Sequence, residues 1–160
     1  MSFLNSIAFD IVKNFTEKQK TLSTAESCTG GLVASSITDI PGASKVFLGG
    51  VVVYATEMKK QILKIPDEVF HYGVISGEMA EAMAKAIKSI TGSDYSIATT
   101  GNLGPDTMEG KPKGLIYVAV VTPSHVYVKE LKLQGDRLSN KKEATLEALK
   151  LIIKLVEKKK

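Results

Sequence analysis

The sequence predicts an α/β protein: a three-layer α/β/α sandwich on a mixed, mostly parallel sheet, with a C-terminal antiparallel hairpin. Three observations carry this. Helix-period and strand-like segments alternate through the first two thirds of the chain. Two β-branched runs then follow, only four turn residues apart. Glycine-rich polar segments fall at the predicted strand ends, where open α/β sheets form ligand crevices. The 160 residues are 44% hydrophobic and 24% charged. That is ordinary for a soluble globular chain with one core, so a single domain over 1–160 is expected.

Leu4, Ile7, Ala8, Ile11, Val12 and Phe15 recur at helical spacing and predict a helix over about 3–18. Thr21 to Ala25 reads as a strand. The polar hexapeptide Glu26-Ser27-Cys28-Thr29-Gly30-Gly31 then leads into a helix marked by Leu32, Val33, Ser36 and Ile37. Pro41 to Ser44 is a turn. Val46 to Tyr54 predicts a buried strand, and Gly49-Gly50 within it a bulge or a close backbone approach. A short helix is expected over about 56–63. Ser76 caps the next helix, whose apolar face is Met79, Met83, Ala86, Ile87 and Ile90. Tyr95 to Thr100 is a strand, and Gly101 to Lys113 is a loop with three glycines and two prolines. Leu115–Val121 and Val126–Leu133 form the hairpin. The last helix follows Gly135-Asp136 and buries Leu146, Leu149, Ile152, Ile153 and Val156.

The net charge is +4, and three of those charges are Lys158, Lys159 and Lys160, read as a frayed basic tail. Without a basic stripe on a folded face, nucleic-acid binding is not expected. No apolar run approaches the roughly 18 residues of a membrane span. The start of the chain lacks a leader pattern, and Cys28 is the one cysteine, so a cytoplasmic protein without disulfides is expected. His71, His125 and Cys28 lack metal-ligand spacing, and neither metal nor other cofactor is expected. The Val- and Met-rich faces suit a homo-oligomer and equally suit a core.

Three segments have the residue types for chemistry. In Glu26–Gly31, a hydroxyl at a strand-to-helix turn has backbone N–H groups beside it that could hold an oxyanion. The same residues also fit a plainly capped helix. In Tyr54–Lys59, helical spacing puts Glu57, Lys60 and Lys64 on one face and Lys59 beside Ala55, Ile62 and Leu63. A lysine on an apolar side either snorkels to water or enters a cleft, where desolvation lowers its pKa and lets it serve as a base. The third segment is Thr99 to Gly104, followed by Lys111-Pro112-Lys113-Gly114. It reads as a weak phosphate cradle or a long surface loop. Cys28 competes with Ser27 as nucleophile. Arg137 and Lys141, one helical turn apart, fit either a phosphate or solvent.

Thr24 to Gly31, Pro41-Gly42-Ala43-Ser44, Gly49 to Tyr54, Thr100-Gly101, Gly104-Pro105 and Lys111-Pro112 together resemble the CinA C-terminal domain family, in order and spacing over about 4–156. Members with a known activity are nicotinamide-nucleotide amidohydrolases. The resemblance implies hydrolysis of the nicotinamide mononucleotide carboxamide to nicotinate mononucleotide and ammonia. It implies Ser27 as nucleophile, Lys59 as base, and Tyr54 and Thr100 as groups orienting the lysine or the ring. Substrate contacts are implied at Glu26, Cys28, Thr29, Gly30, Gly31, Gly101, Asn102, Gly104, Arg137 and Lys141. Thr56, Asn102-Leu103, Asp106–Gly110 and Lys141 depart from the family's usual residues. Larger members add an N-terminal domain resembling molybdopterin-binding proteins, and a stand-alone deamidase-type domain is implied here. A non-catalytic nucleotide-binding module of the same fold is the alternative reading.

Overall fold

In the computed structural model, which describes residues 2–158, Leu22–Glu26 (β1) is buried at every position because a strand pairs with each of its edges. The flanking strands are Phe47–Val52 (β2) and Tyr95–Gly101 (β3), both parallel to β1. Leu115–Val121 (β4) runs antiparallel to β3, and Val126–Lys132 (β5) antiparallel to β4. The order is β2-β1-β3-β4-β5, so four of the five strands point the same way. A mixed, mostly parallel sheet ending in a hairpin is therefore what the chain forms.

Helices cover both faces. Phe3–Lys18 (α1), Leu32–Thr38 (α2) and Arg137–Lys158 (α6) enclose one core with Phe15, Leu22, Ile37, Ile97, Val118 and Leu149. Gly77–Thr91 (α5) covers the other face, where Met79, Met83 and Ile87 pack against Ala25, Ala98 and Ala119. Met79, Met83 and Ile87 are thus core, while Ile90, expected on the same face, is exposed. Thr56–Gln61 (α3) and Asp67–Phe70 (α4) lie between β2 and α5. Ser76 caps α5 through its hydroxyl, 3.1 Å from the Met79 N–H, and Ser2 caps α1 in the same way.

Four expectations change. The strand read as buried over Val46–Tyr54 is a sheet edge, shorter, with alternate residues exposed, because nothing pairs with its outer side. The helix read over about 56–63 stops at Gln61, and Lys64 takes a left-handed backbone conformation. Ala55 and Ile62, expected beside Lys59, are exposed. Lys158 ends α6 as helix, and the rest of the basic tail lies outside the described residues. Among the described residues, no helix is long and apolar enough to cross a membrane.

Gly49-Gly50 gives both of its expected features. The β1–β2 register slips by one residue at Leu48. At Gly50 a β-carbon would lie 2.1 Å from the Thr24 hydroxyl and 2.8 Å from the Thr24 carbonyl, so only glycine lets β2 approach β1. The Thr24 hydroxyl is buried and has no hydrogen-bond partner among the described residues. Gly50→Ala should lower stability by about 2–3 kcal/mol, since backbone must move. Thr24→Val, which removes an unsatisfied group, should leave stability equal or up to about 1 kcal/mol higher. Urea unfolding of both variants measures the contrast.

Candidate active site

The C-terminal ends of β1, β2 and β3 and the start of α6 converge at one end of the sheet, around β1, which lies between β2 and β3. Chain reversal on either side of β1 makes this the expected crevice of an open α/β sheet. Ser27 follows β1 directly. Its N–H donates to the Thr99 carbonyl at 3.0 Å, which extends the β1–β3 pairing by one residue and fixes the serine.

The question of a capped helix against a free hydroxyl is decided by Glu26. Its buried carboxylate accepts the N–H groups of Gly31 at 3.1 Å, Val33 at 3.0 Å and Ala34 at 2.9 Å, and the Thr29 hydroxyl. Gly31, at the cap position, offers no side chain, so a strand residue supplies the acceptors. Ser27 is thereby released from capping. The expected substrate contact through Glu26 does not fit this geometry, because its carboxylate is spent on α2.

Lys59 is 1% exposed. Its Nζ lies 3.1 Å from Ser27 Oγ, 2.9 Å from the Val53 carbonyl and 3.4 Å from the Tyr54 carbonyl. Those carbonyls are held in place because the Val53 N–H donates to the Glu26 carbonyl at 2.8 Å. Among the described residues no carboxylate forms an ion pair with Lys59. Burial is the main cause that lowers its pKa from 10.5 to about 8. An ammonium there has three hydrogens for three oxygens. A neutral amine gives its two hydrogens to the carbonyls and turns its lone pair to the serine hydroxyl. The arrangement can therefore move a proton between Oγ and Nζ.

Cys28 is placed differently. Its thiol packs in the α1–α2–α6 core, and burial pushes it up to about 12. It is neither a nucleophile nor a side-chain contact for a ligand. Its backbone is another matter. The Gly30 N–H is taken by the Ser27 carbonyl, and the Gly31 N–H by Glu26. Among the described residues the N–H groups of Cys28 and Thr29 meet no oxygen acceptor. Of the backbone N–H groups beside Ser27, these two are the ones open to an anion.

The remaining expected residues divide. Arg137 donates to the Gly104 carbonyl at 2.7 Å and to the Tyr54 hydroxyl at 2.6 Å. Lys141 Nζ stands 3.4 Å from where a β-carbon on Gly30 would be. The first turns of α6 thus reach Tyr54 and Gly104 through Arg137 and Gly30 through Lys141. Asn140 anchors the first turn of α6 there by donating to the Leu103 carbonyl at 2.9 Å. Gly101 and Asn102 are not part of a cradle. Gly101 pairs with Ile116 in the sheet, and the Asn102 side chain bonds the Met108 and Lys111 backbone inside its own loop. Thr100 donates to the Val74 carbonyl, and the role of orienting Lys59 falls to the carbonyls of Val53 and Tyr54. Sequence reasoning gave Val53 no site role and placed Thr99 only at the start of the third segment. Thr99 meets Thr29 hydroxyl to hydroxyl at 2.8 Å, and its register opposite Glu26 brings it there.

The model of the CinA C-terminal domain family matches residues 4–156. The chain belongs to the CinA C-terminal domain family. A competence-damage inducible protein of Caldanaerobacter subterraneus subsp. tengcongensis is 41% identical over 149 residues, covering 92% of this chain and 36% of that protein. A CinA-like protein of Dictyoglomus turgidum is 39% identical over 145 residues, covering 89% and 35%. The chain thus spans about a third of the length of the curated relatives it matches. Among solved structures, a competence/damage inducible protein of Agrobacterium tumefaciens is 31% identical with a TM-score of 0.91, covering 97% of this chain and 99% of that one. A CinA superfamily protein of Escherichia coli is 28% identical with a TM-score of 0.92, covering 95% and 90%.

Two outcomes test the site of this CinA-family chain. The unfolded chain binds the Lys59 proton more tightly than the folded chain, so stability should rise with pH between about 8 and 10.5. Lys59→Met should therefore be more stable than the parent at pH 7, by about 1–2 kcal/mol after its two carbonyls lose their donor. The gap should narrow above pH 8 in urea titrations. Iodoacetamide should leave Cys28 unmodified in the folded protein and label it fully in urea.

Proposed function

We propose that this chain is an amidohydrolase that converts nicotinamide mononucleotide to nicotinate mononucleotide and ammonia through Ser27 and Lys59. The observation that carries the reading is the buried Lys59 amine 3.1 Å from Ser27 Oγ, with its pKa lowered by burial to about 8. A hydroxyl needs an adjacent base to become a nucleophile, and an amine near neutrality supplies one without histidine. The family membership supports the same reading.

In this mechanism Ser27 Oγ attacks the carboxamide carbon as its proton passes to Lys59 Nζ. The carboxamide oxygen, now negative, takes the N–H groups of Cys28 and Thr29. Losing one such donor costs on the order of 3 kcal/mol in the barrier. Lys59 returns the proton to the departing nitrogen, and ammonia leaves an ester on Ser27. Water then attacks that ester, giving its proton to Lys59, and the carboxylate product is released as Oγ is reprotonated. Arg137 and Lys141, a helical turn apart at the crevice edge, suit the phosphate of a mononucleotide. The exposed Tyr54 ring, whose hydroxyl meets Arg137, suits the flat faces of the pyridine or ribose. The chemistry calls on no group from outside the chain other than water.

The test is ammonia release from nicotinamide mononucleotide. Ser27→Ala should abolish it to within background. Lys59→Arg, which keeps the charge but has no neutral form at working pH, should reduce kcat by about 10²–10⁴-fold. For the parent, kcat/KM should rise tenfold per pH unit up to about pH 8 and then level, because the base must be neutral. Tight nucleotide binding without ammonia would instead favour the non-catalytic module. A fully active Lys59→Arg would remove the lysine from the mechanism.

A further inference from the structure

The mechanism above leaves out a buried hydroxyl beside Ser27. Thr99 Oγ1 lies 2.8 Å from the Thr29 hydroxyl and 3.4 Å from the Ser27 nitrogen. The Thr29 hydroxyl in turn donates to Glu26 Oε1 at 2.5 Å. Register explains the meeting. Thr99 pairs with Glu26 across β1–β3, and residues paired across a sheet present their side chains to the same face. The order of donors follows from the last member. Glu26 Oε1 also accepts the Gly31 and Val33 N–H groups, so it acts there as an acceptor. The single hydrogen of Thr29 goes to it, and Thr29 Oγ1 takes the hydrogen of Thr99. The relay runs from Thr99 through Thr29 to Glu26.

The two amides open to an anion differ in what holds them. The Cys28 N–H shares a planar peptide with the Ser27 carbonyl, and that carbonyl accepts the Gly30 N–H at 3.1 Å. The Ser27 N–H is itself bonded to the Thr99 carbonyl at 3.0 Å. The Cys28 amide is thus fixed by backbone alone. The Thr29 N–H shares its peptide with the Cys28 carbonyl, which meets no donor among the described residues. That peptide is held from its far end, at residue 29. There the carbonyl accepts the Leu32 N–H at 3.0 Å, and the side chain is bonded on both sides, by Thr99 and by Glu26.

We infer that Thr99 is a positioning residue for the oxyanion site: its hydroxyl, bonded through Thr29 to Glu26, fixes residue 29 so that the Thr29 N–H is aimed before charge develops. The inference rests on the proposed attack of Ser27 on a carboxamide. Thr99 touches no reacting atom and passes no proton. Its effect is on preorganisation. A donor already in place when the carboxamide oxygen turns negative stabilises the transition state in full, whereas one that must first rotate loses part of that gain. The Cys28 N–H does not depend on the relay, so the site is weakened and not abolished when the relay is cut.

The experiment compares Thr99→Val, which keeps the shape and drops the hydroxyl, with Thr99→Ser, which keeps the hydroxyl. In Thr99→Val the Thr29 hydroxyl still has Glu26 and the Ser27 N–H still has the residue 99 carbonyl, so no buried group is orphaned. With nicotinamide mononucleotide as substrate, Thr99→Val should lower kcat about 10-fold and leave KM within about twofold, because the loss falls on the transition state. The acid limb of kcat/KM should stay near pH 8, since Lys59 keeps its neighbours. Thr99→Ser should return kcat to within about twofold of the parent. In ¹⁵N–¹H NMR spectra the Thr29 amide signal should move in Thr99→Val, further than that of Cys28, and return in Thr99→Ser. A folded Thr99→Val with the parent's kcat overturns the inference. Thr99→Ser as slow as Thr99→Val does the same, as does a loss of kcat that carries the acid limb with it. If Thr99→Val fails to fold by circular dichroism, Thr99→Ala takes its place against Thr99→Ser with the same criteria. The NMR reading needs no turnover. In a parent that releases no ammonia the hydrolase reading falls, and the Thr29 signal alone decides: moved, it keeps the positioning role, and unmoved, it overturns it. Turnover in the parent with Thr99→Val equally fast leaves the hydrolase reading standing and removes Thr99 from it.

Discussion

A buried amine with oxygen neighbours and no contacting carboxylate is the constraint around which this end of the sheet is arranged. Lys59 meets Ser27 Oγ and the carbonyls of Val53 and Tyr54, and among the described residues no carboxylate pairs with it. Desolvation of such a group opposes folding below its shifted pKa, by about 3 kcal/mol for a shift of this size. The two apolar cores on either side of the sheet absorb that cost. An ion pair would have removed the penalty and with it the neutral form near pH 8.

The surrounding polar groups make sense as a division of labour. Glu26 satisfies the start of α2, so the hydroxyls next to it do not have to. Thr99 and the β1–β3 ladder hold the Ser27 backbone. The Val53 N–H, bonded to the Glu26 carbonyl, carries the chain from the sheet edge to the carbonyls that orient the lysine. Asn140 and Arg137 pin α6 to the β3–β4 loop, which brings Lys141 over Gly30. Among the described residues, the buried side-chain polar atoms are thus bonded, the Thr24 hydroxyl apart.

Much of the fold was legible because it rests on short-range pattern. Helical spacing marked α1, α5 and α6, β-branched runs marked β3, β4 and β5, and Ser76 announced its helix by the capping rule. The site was legible less evenly. Lys59 stood out by its position among apolar residues, yet Ala55 and Ile62 are exposed, and Leu63 alone of its expected companions is buried. Tertiary packing against Ser27 buries the lysine. Glu26 looked like a ligand contact because a cap acceptor seven and eight residues ahead of its amides follows no local rule.

By itself the sequence determined which segments become helix or strand and that its polar, glycine-rich runs lie at strand ends. Side-chain period and turn chemistry act over two to four residues, and they are written locally. Tertiary structure decided which hydroxyl escapes capping and which amine loses its water beside it. Ser27 and Lys59 are 32 residues apart in the chain. They meet because β2 pairs beside β1 and α3 turns back from that edge, and strand order is a property of the whole packed sheet rather than of any stretch of sequence.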